Sequence, residues 1–278
     1  MEEANGVQES VIYLMRHGDR WDFAHPEWEV QMRELGYGTW DPSLSPLGHK
    51  QASEVGEMMK RDAVLDTILV SPYLRTIQTA IPTANAFGLQ LNLEEGIAEV
   101  LHSPDWLPTA AERFKYFPQI DVKYTPMHRV EANPEKINKR TGMPREGFPE
   151  DYMRRLCKFA QKLEKEYAGR RVLCVSHAAS VALVAALLRT PDLQSVGKFA
   201  PCGVFKLVKR GQGPWELVQK GGSNEAYVSE NSPSTFPWGF NEKDCGLWAS
   251  LLDDMLAGRD SEVATHDDAP SSFKDSPC

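Results

Sequence analysis

Four short stretches of the chain are apolar at nearly every position: VIYLM at 11–15, TILV at 67–70, VLCV at 172–175 and VFKLV at 204–208. The first three are nearly continuous and rich in Val, Ile and Leu, the pattern of strands covered on both faces, as in a parallel sheet. Between them apolar residues return at helical spacing. Leu47, Ala52, Val55, Met58 and Met59 follow Ser45 and Pro46, a capping serine with proline at the first helical position. Further helices are predicted over 73–87, over 150–168 and from near Ala178. Strands alternating with helices predict an α/β fold with a mostly parallel sheet.

Two stretches break this rhythm. Residues 21–44 carry Trp21, Trp28 and Trp40, and residues 100–149 carry prolines at 104, 108, 118, 126, 134, 144 and 149. Both read as excursions, the second large and irregular, and long loops in compact domains often cover or line a site. After residue 227 the character changes again. SENSPSTFPWGFNEKD is loop-like, CGLWASLLDDMLAG suits a short amphipathic helix, and the last twenty or so residues, rich in Asp, Ser and Pro, are expected to be disordered. The expected organisation is one domain over 8–227 with a C-terminal extension over 228–278.

Composition narrows the function classes. The 278 residues are 41% hydrophobic and 25% charged, which suits a soluble globular protein, and the net charge is −8. A general nucleic-acid coat needs a basic face and is not expected. An anionic substrate would have to be held by a local group of cations. The five cysteines are odd in number and widely spaced, with neither disulfide-framework nor metal-site spacing, which points to a reducing compartment. The start MEEANGVQES lacks the pattern of a signal peptide, and VALVAALL at 181–188 is too short to span a bilayer. The expected location is cytoplasmic or nuclear.

The chemistry gathers where the strands end. Arg16-His17-Gly18 follows the first strand, Ser71-Pro72-Tyr73-Leu74-Arg75-Thr76 the second, and Ser176-His177-Ala178 the third. In open α/β sheets the carboxyl edge is where ligands bind. The motifs LMRHGDR, SPYLRTIQTA and VSHAASVAL, in that order and each after a strand-like run, resemble those of the histidine phosphatases, the phosphoglycerate-mutase-like superfamily. The resemblance covers about residues 8–220 and implies a three-layer α/β sandwich.

The resemblance also implies roles. His17 would be the nucleophile that carries the phosphoryl group, Arg16, Arg75 and His177 would form the phosphate pocket, and Glu99 stands where the family places its proton donor. The residues suit those roles. A neutral imidazole has a free lone pair near pH 7, two guanidinium forks match the equatorial oxygens of a transferring phosphoryl group, and a carboxylic acid can protonate the leaving oxygen. A protonated His177 would add a charge-assisted hydrogen bond. No metal or other cofactor is required. Arg20 is assigned to substrate binding, although with Asp22 it could equally form a local surface pair. The tryptophans at 21, 28, 40 and 106 either line a pocket for an apolar leaving group or anchor the excursions on the core. The run Lys136 to Arg140 reads as a solvated face.

RHGDRWD is similar to the Arg-His-Gly-Glu-Arg-x-Asp of the ecdysteroid-phosphate-phosphatase-like branch, which includes the T-cell-signalling suppressor phosphatases. Asp19, Arg20, Trp21 and Asp22 depart from the mutase pattern. The expected activity is hydrolysis of a phosphomonoester, on a phosphorylated small molecule or a phosphoprotein. The alternatives are a weakly active or inactive interaction module of the same fold and a phosphoglycerate-type mutase or bisphosphatase. No membrane partner is expected, while a homodimer and a protein partner for the tail are left open.

Overall fold

A computed structural model describes residues 9–35, 38–102, 107–139, 141–231 and 240–259. The first strand, β1 (Glu9–Arg16), lies inside a six-stranded sheet. After it come two short helices, α1 (Trp21–Ala24) and α2 (Trp28–Glu34), then α3 (Pro46–Asp62), β2 (Thr67–Val70), α4 (Leu74–Phe87) and β3 (Leu91–Leu93). The second excursion holds α5 (Ala110–Phe114) and a hairpin of β4 (Asn133–Ile137) with β5 (Pro144–Arg145). The body then resumes with α6 (Glu150–Glu166), β6 (Arg171–Ser176), α7 (Val181–Leu188), α8 (Leu193–Val196), β7 (Val204–Arg210), β8 (Trp215–Gln219) and α9 (Glu242–Leu256).

The sheet order is β3-β2-β6-β1-β7-β8. β1, β2, β3 and β6 run parallel, and β7 and β8 add an antiparallel edge. Burial on both faces explains the unbroken apolar runs. Val11, Tyr13 and Met15 face the layer of α3 and α4, where they meet Val55, Met59 and Ile77. Ile12 and Leu14 face the opposite layer, with Leu156 of α6 and Leu183 of α7. The expected three-layer α/β architecture is therefore present.

The predicted helices form close to their expected limits, and α3 and α4 carry their own punctuation. Ser45 caps α3, its Oγ accepting from the Gly48 amide at 3.0 Å, and Gly88 ends α4 in the left-handed region at φ 65°. A 3-10 turn over Ala178–Ser180 precedes α7. The excursions are more structured than their prolines suggest, since α1, α2, α5 and the β4–β5 hairpin lie within them. Beyond residue 227, α9 buries Trp248, Leu251 and Leu252 in the same core as α6 and α7, and the Trp248 indole donates to the Thr190 carbonyl at 3.0 Å. The expected disordered end lies outside the described residues, as do Pro104, Trp106 and Arg140.

Candidate active site

Register delivers the key residues to one place. Arg16 pairs with Ser176 at the ends of β1 and β6, so His17 and His177 leave the sheet side by side, and their ring centroids are 5.4 Å apart at 61°. The Ser71 amide extends the neighbouring ladder by donating to the Val175 carbonyl at 3.0 Å. Tyr73 and Arg75 then turn into the first residues of α4.

The loop after β1 is sewn to two helices. The Gly18 amide donates to Thr79 Oγ1 at 3.1 Å, the Asp19 amide to Gln51 Oε1 at 2.9 Å, and Ser45 Oγ to Asp19 Oδ2 at 2.6 Å. The approach is close enough to require glycine on both sides. A Cβ on Gly18 would lie 2.7 Å from the Gly48 carbonyl oxygen, and one on Gly48 only 2.1 Å from that of Asp19.

Hydrogen bonds set the states of the two buried histidines. His17 Nδ1 lies 2.8 Å from the Gly18 carbonyl oxygen, which can only accept, so Nδ1 carries the proton and Nε2 keeps its lone pair. Burial, reinforced by the charges of Arg75, Arg16 and Arg20, holds His17 well below the ordinary imidazole value of 6.5. Arg75 Nη2 donates to His177 Nδ1 at 3.1 Å, which leaves the His177 proton on Nε2, 2.8 Å from Ser71 Oγ. Burial and Arg75 hold His177 below 6.5 as well. The structure therefore favours a neutral His177 rather than a protonated one, because burial and a guanidinium both oppose its charge.

The two arginines are almost fully buried. Arg16 Nη1 donates to the Phe199 carbonyl at 2.5 Å, and burial pulls the Arg16 pKa down to about 10, still a cation at neutral pH. Arg75 Nε and Nη1 have no hydrogen-bond partner among the described residues. Buried donors without partners are costly and suit a site that receives an anion. The carboxylates near Arg75 come from other segments. Glu99 Oε2 is 3.8 Å from Arg75 Nη2 and 3.5 Å from His177 Nδ1, and Asp41 Oδ1 is 3.9 Å from Arg75 Nη1.

The segment bearing Glu99 is clamped from three sides. Tyr73 Oη donates to the Val100 carbonyl at 3.0 Å and Ser176 Oγ to that of Ile97 at 2.7 Å. Arg155 of α6 donates to the carbonyls of Glu95, Gly96 and Ala98 at 2.9–3.1 Å and pairs with Glu146 at 2.6 and 2.9 Å. The two neighbouring acids are occupied elsewhere. Glu94 accepts from Tyr124 and from the amides of Gly96, Met127 and His128, and Glu95 accepts from the Val130 amide.

These groups open into a cavity of about 530 Å³ lined by Arg16, His17, Arg20, Arg75 and Glu99, within the usual size of a small-molecule site. Part of its wall is aromatic: Phe23, Trp28, Trp40 and Phe148. Arg20 pairs with Asp22 at 2.6 and 2.9 Å, and both line the cavity, so the local pair and the pocket position coexist. Trp28 and Trp40 reach the cavity, while Trp21 stacks on His25. Several wall residues carry no motif: His102, Arg145 and Phe148 come from the second excursion, and only the proline-rich length of that stretch pointed to it. Among the described residues, no group of three or more His, Cys, Asp or Glu is placed to hold a metal ion. Nor is any helix there long and apolar enough to cross a membrane.

A cavity that places two buried arginines beside a histidine, at the carboxyl edge of a mostly parallel sheet, defines a recognisable class of α/β protein. The family model described as Histidine phosphatase superfamily (branch 1) matches residues 12–220, and the chain belongs to that superfamily. Phosphoserine phosphatase 1 of Hydrogenobacter thermophilus is 29% identical over 189 residues, covering 68% of this chain and 80% of that protein. The ecdysteroid-phosphate phosphatase of Drosophila melanogaster is 24% identical over 255 residues, covering 78% of this chain but only 33% of that protein. The structure of the ecdysone phosphate phosphatase from Bombix mori, in complex with tungstate, shares the fold with a TM-score of 0.57 at 21% identity, covering 82% of this chain and 98% of that one.

Proposed function

We propose that the chain hydrolyses phosphomonoesters through a phosphohistidine at His17. The observation that carries this reading is the pairing of a neutral His17, with Nε2 free, and two Arg75 donors without hydrogen-bond partners among the described residues, all in one cavity. In the first step His17 Nε2 attacks phosphorus, the ester P–O bond breaks, and Glu99 gives its proton to the departing oxygen. Arg16 and Arg75 hold the equatorial oxygens, and Arg20 stands further out to meet the substrate. In the second step water attacks phosphorus, Glu99 takes a proton from that water, the P–N bond breaks, and inorganic phosphate leaves with His17 restored.

Charge matching supports a dianionic ester. Arg16 and Arg75 line the cavity and supply two positive charges, matching the two negative charges of a phosphomonoester dianion. An arriving phosphate adds negative charge beside His177, which raises its affinity for a proton. The aromatic wall suits an ester whose alcohol portion has an apolar or aromatic face. The reaction as written balances without a metal.

Hydrolysis of p-nitrophenyl phosphate from pH 4 to 8 in the presence of a chelator, by the wild-type protein and by His17→Ala, tests the reading. Turnover that resists the chelator and disappears in the variant is expected, with a phosphorylated wild-type protein trapped by rapid quench. Full activity in His17→Ala removes His17 from the chemistry. No turnover by wild type at any pH removes the hydrolase reading and favours a binding role for the same pocket.

A further inference from the structure

The cavity wall holds one more cation than a single phosphate needs. Four arginines line it, and three have protein partners: Arg16 with the Phe199 carbonyl, Arg20 with Asp22, and Arg75 with His177 and Glu99. Beyond the backbone pairing of β5 with β4, the Arg145 side chain makes no hydrogen bond or ion pair among the described residues, although it is partly buried. The wall carboxylates are engaged with other cations: Asp22 with Arg20, Glu29 with Arg33, and Glu99 near Arg75.

Arg145 is also rigidly presented. Its neighbour Glu146 is buried, pairs with Arg155, and exchanges hydrogen bonds with Leu101, its amide donating at 3.0 Å and its Oε2 accepting at 3.2 Å. That clamp aligns β5 with the segment holding Glu99 and His102. Burial lowers the pKa of His102, the Arg145 charge adds to that effect, and His102 stacks on Trp40 with centroids 5.2 Å apart. The cation therefore shares the cavity wall with aromatic rings, and a carboxylate or phosphate that reaches it would gain a charge-assisted hydrogen bond.

We propose that Arg145 is the anchor for a second anionic group on the substrate, so that the preferred esters carry a carboxylate or a second phosphate beyond the apolar portion facing the aromatic wall. The inference rests on the phosphatase reading for the word substrate, but the anchor itself is a statement about binding. It is tested with ligands that cannot be hydrolysed: benzylphosphonate, 4-(phosphonomethyl)benzoate and 1,4-phenylenebis(methylphosphonate). Their Kd values are measured by calorimetry on the full-length wild-type protein and on Arg145→Gln, alongside turnover of phenyl phosphate by wild type.

In wild type at least one doubly anionic ligand is expected to bind about tenfold more tightly than benzylphosphonate, an advantage that Arg145→Gln removes while benzylphosphonate changes by less than about twofold. Preference for the benzoate identifies a carboxylate, and preference for the bisphosphonate a second phosphate. No advantage in wild type, or one that survives Arg145→Gln, overturns the anchor. Turnover of phenyl phosphate without the advantage leaves the hydrolase and removes the anchor, whereas the advantage without turnover does the reverse. Silence in both removes both.

Discussion

Arg75 donates through Nη2 to Nδ1 of His177 across 3.1 Å, and this contact fixes the tautomer of a histidine that no solvent reaches. A guanidinium cannot accept a hydrogen bond, so His177 must. The same arginine keeps two further donors without hydrogen-bond partners among the described residues and lowers the pKa of both pocket histidines. Burial and this one side chain together hold the pocket imidazoles neutral, and the same side chain has donors to offer an anion.

Those depressed values make the fold acid-sensitive. In the unfolded chain His17 and His177 take up protons near 6.5, while in the folded chain both stay neutral well below that. The unfolded state then binds more protons, so stability is full above 6.5 and declines as pH falls beneath it, by about 1.4 kcal/mol per pH unit for each histidine. His128, lowered to about 4, contributes in the same direction. Urea unfolding at several pH values below neutrality should show this slope, and His177→Gln should reduce it by about one proton. An unchanged slope would mean that His177 is not held neutral.

Glu99→Gln should separate substrates by leaving group. Loss of a general acid is expected to lower kcat/KM about 100-fold or more for alkyl phosphates, and far less for p-nitrophenyl phosphate, whose leaving group needs little help. Equal losses across a graded series of esters would move the acid role elsewhere. Glu94 and Glu95 are poor replacements, because both carboxylates are spent on backbone amides.

The buried Glu146–Arg155 pair should behave as a clamp rather than as a catalyst. Arg155→Met alone leaves a buried carboxylate and three carbonyls without their donor, and is expected to cost about 3–5 kcal/mol in urea unfolding. Adding Glu146→Leu should recover part of the loss, with a coupling energy of about 1 kcal/mol or more in the double-mutant cycle. Strict additivity would show that the pair is not a unit.

Trp40→Ala should act on the ester rather than on the phosphate. With its ring in the cavity wall, stacked on His102, the expected result is a rise of about five- to tenfold in KM for phenyl phosphate. Inhibition by inorganic phosphate should change little. A parallel loss in phosphate inhibition would place Trp40 in the support of the anion pocket instead.

The elements most legible in the chain are those whose reason for existing is local. β1, β2 and β6 announce themselves because burial on both faces demands an apolar residue at every step. Ser45 and Pro46 announce α3 because capping and a fixed φ act within one turn. β3 has only three residues, and most of the edge strand β8 faces solvent, so neither leaves a pattern that a reader of the chain could separate from loop. The excursion after residue 100 was recognisable by its prolines, but they mark where regular structure breaks and say nothing of what replaces it.

The site divides along the same line. By itself the sequence determined that Arg16, His17, Arg75 and His177 follow strand-like runs, because each is bonded within a few residues of a buried strand whose apolar pattern is local. The tertiary structure alone decided that Arg75 would orient His177, that Arg155 would reach across from α6 to hold the Glu99 segment, and that Arg145 and Phe148 would close the cavity wall. These relationships join residues tens to more than a hundred positions apart. Hydrogen bonds and ion pairs of that kind depend on distance in space, which chain order sets only after the sheet has chosen its register.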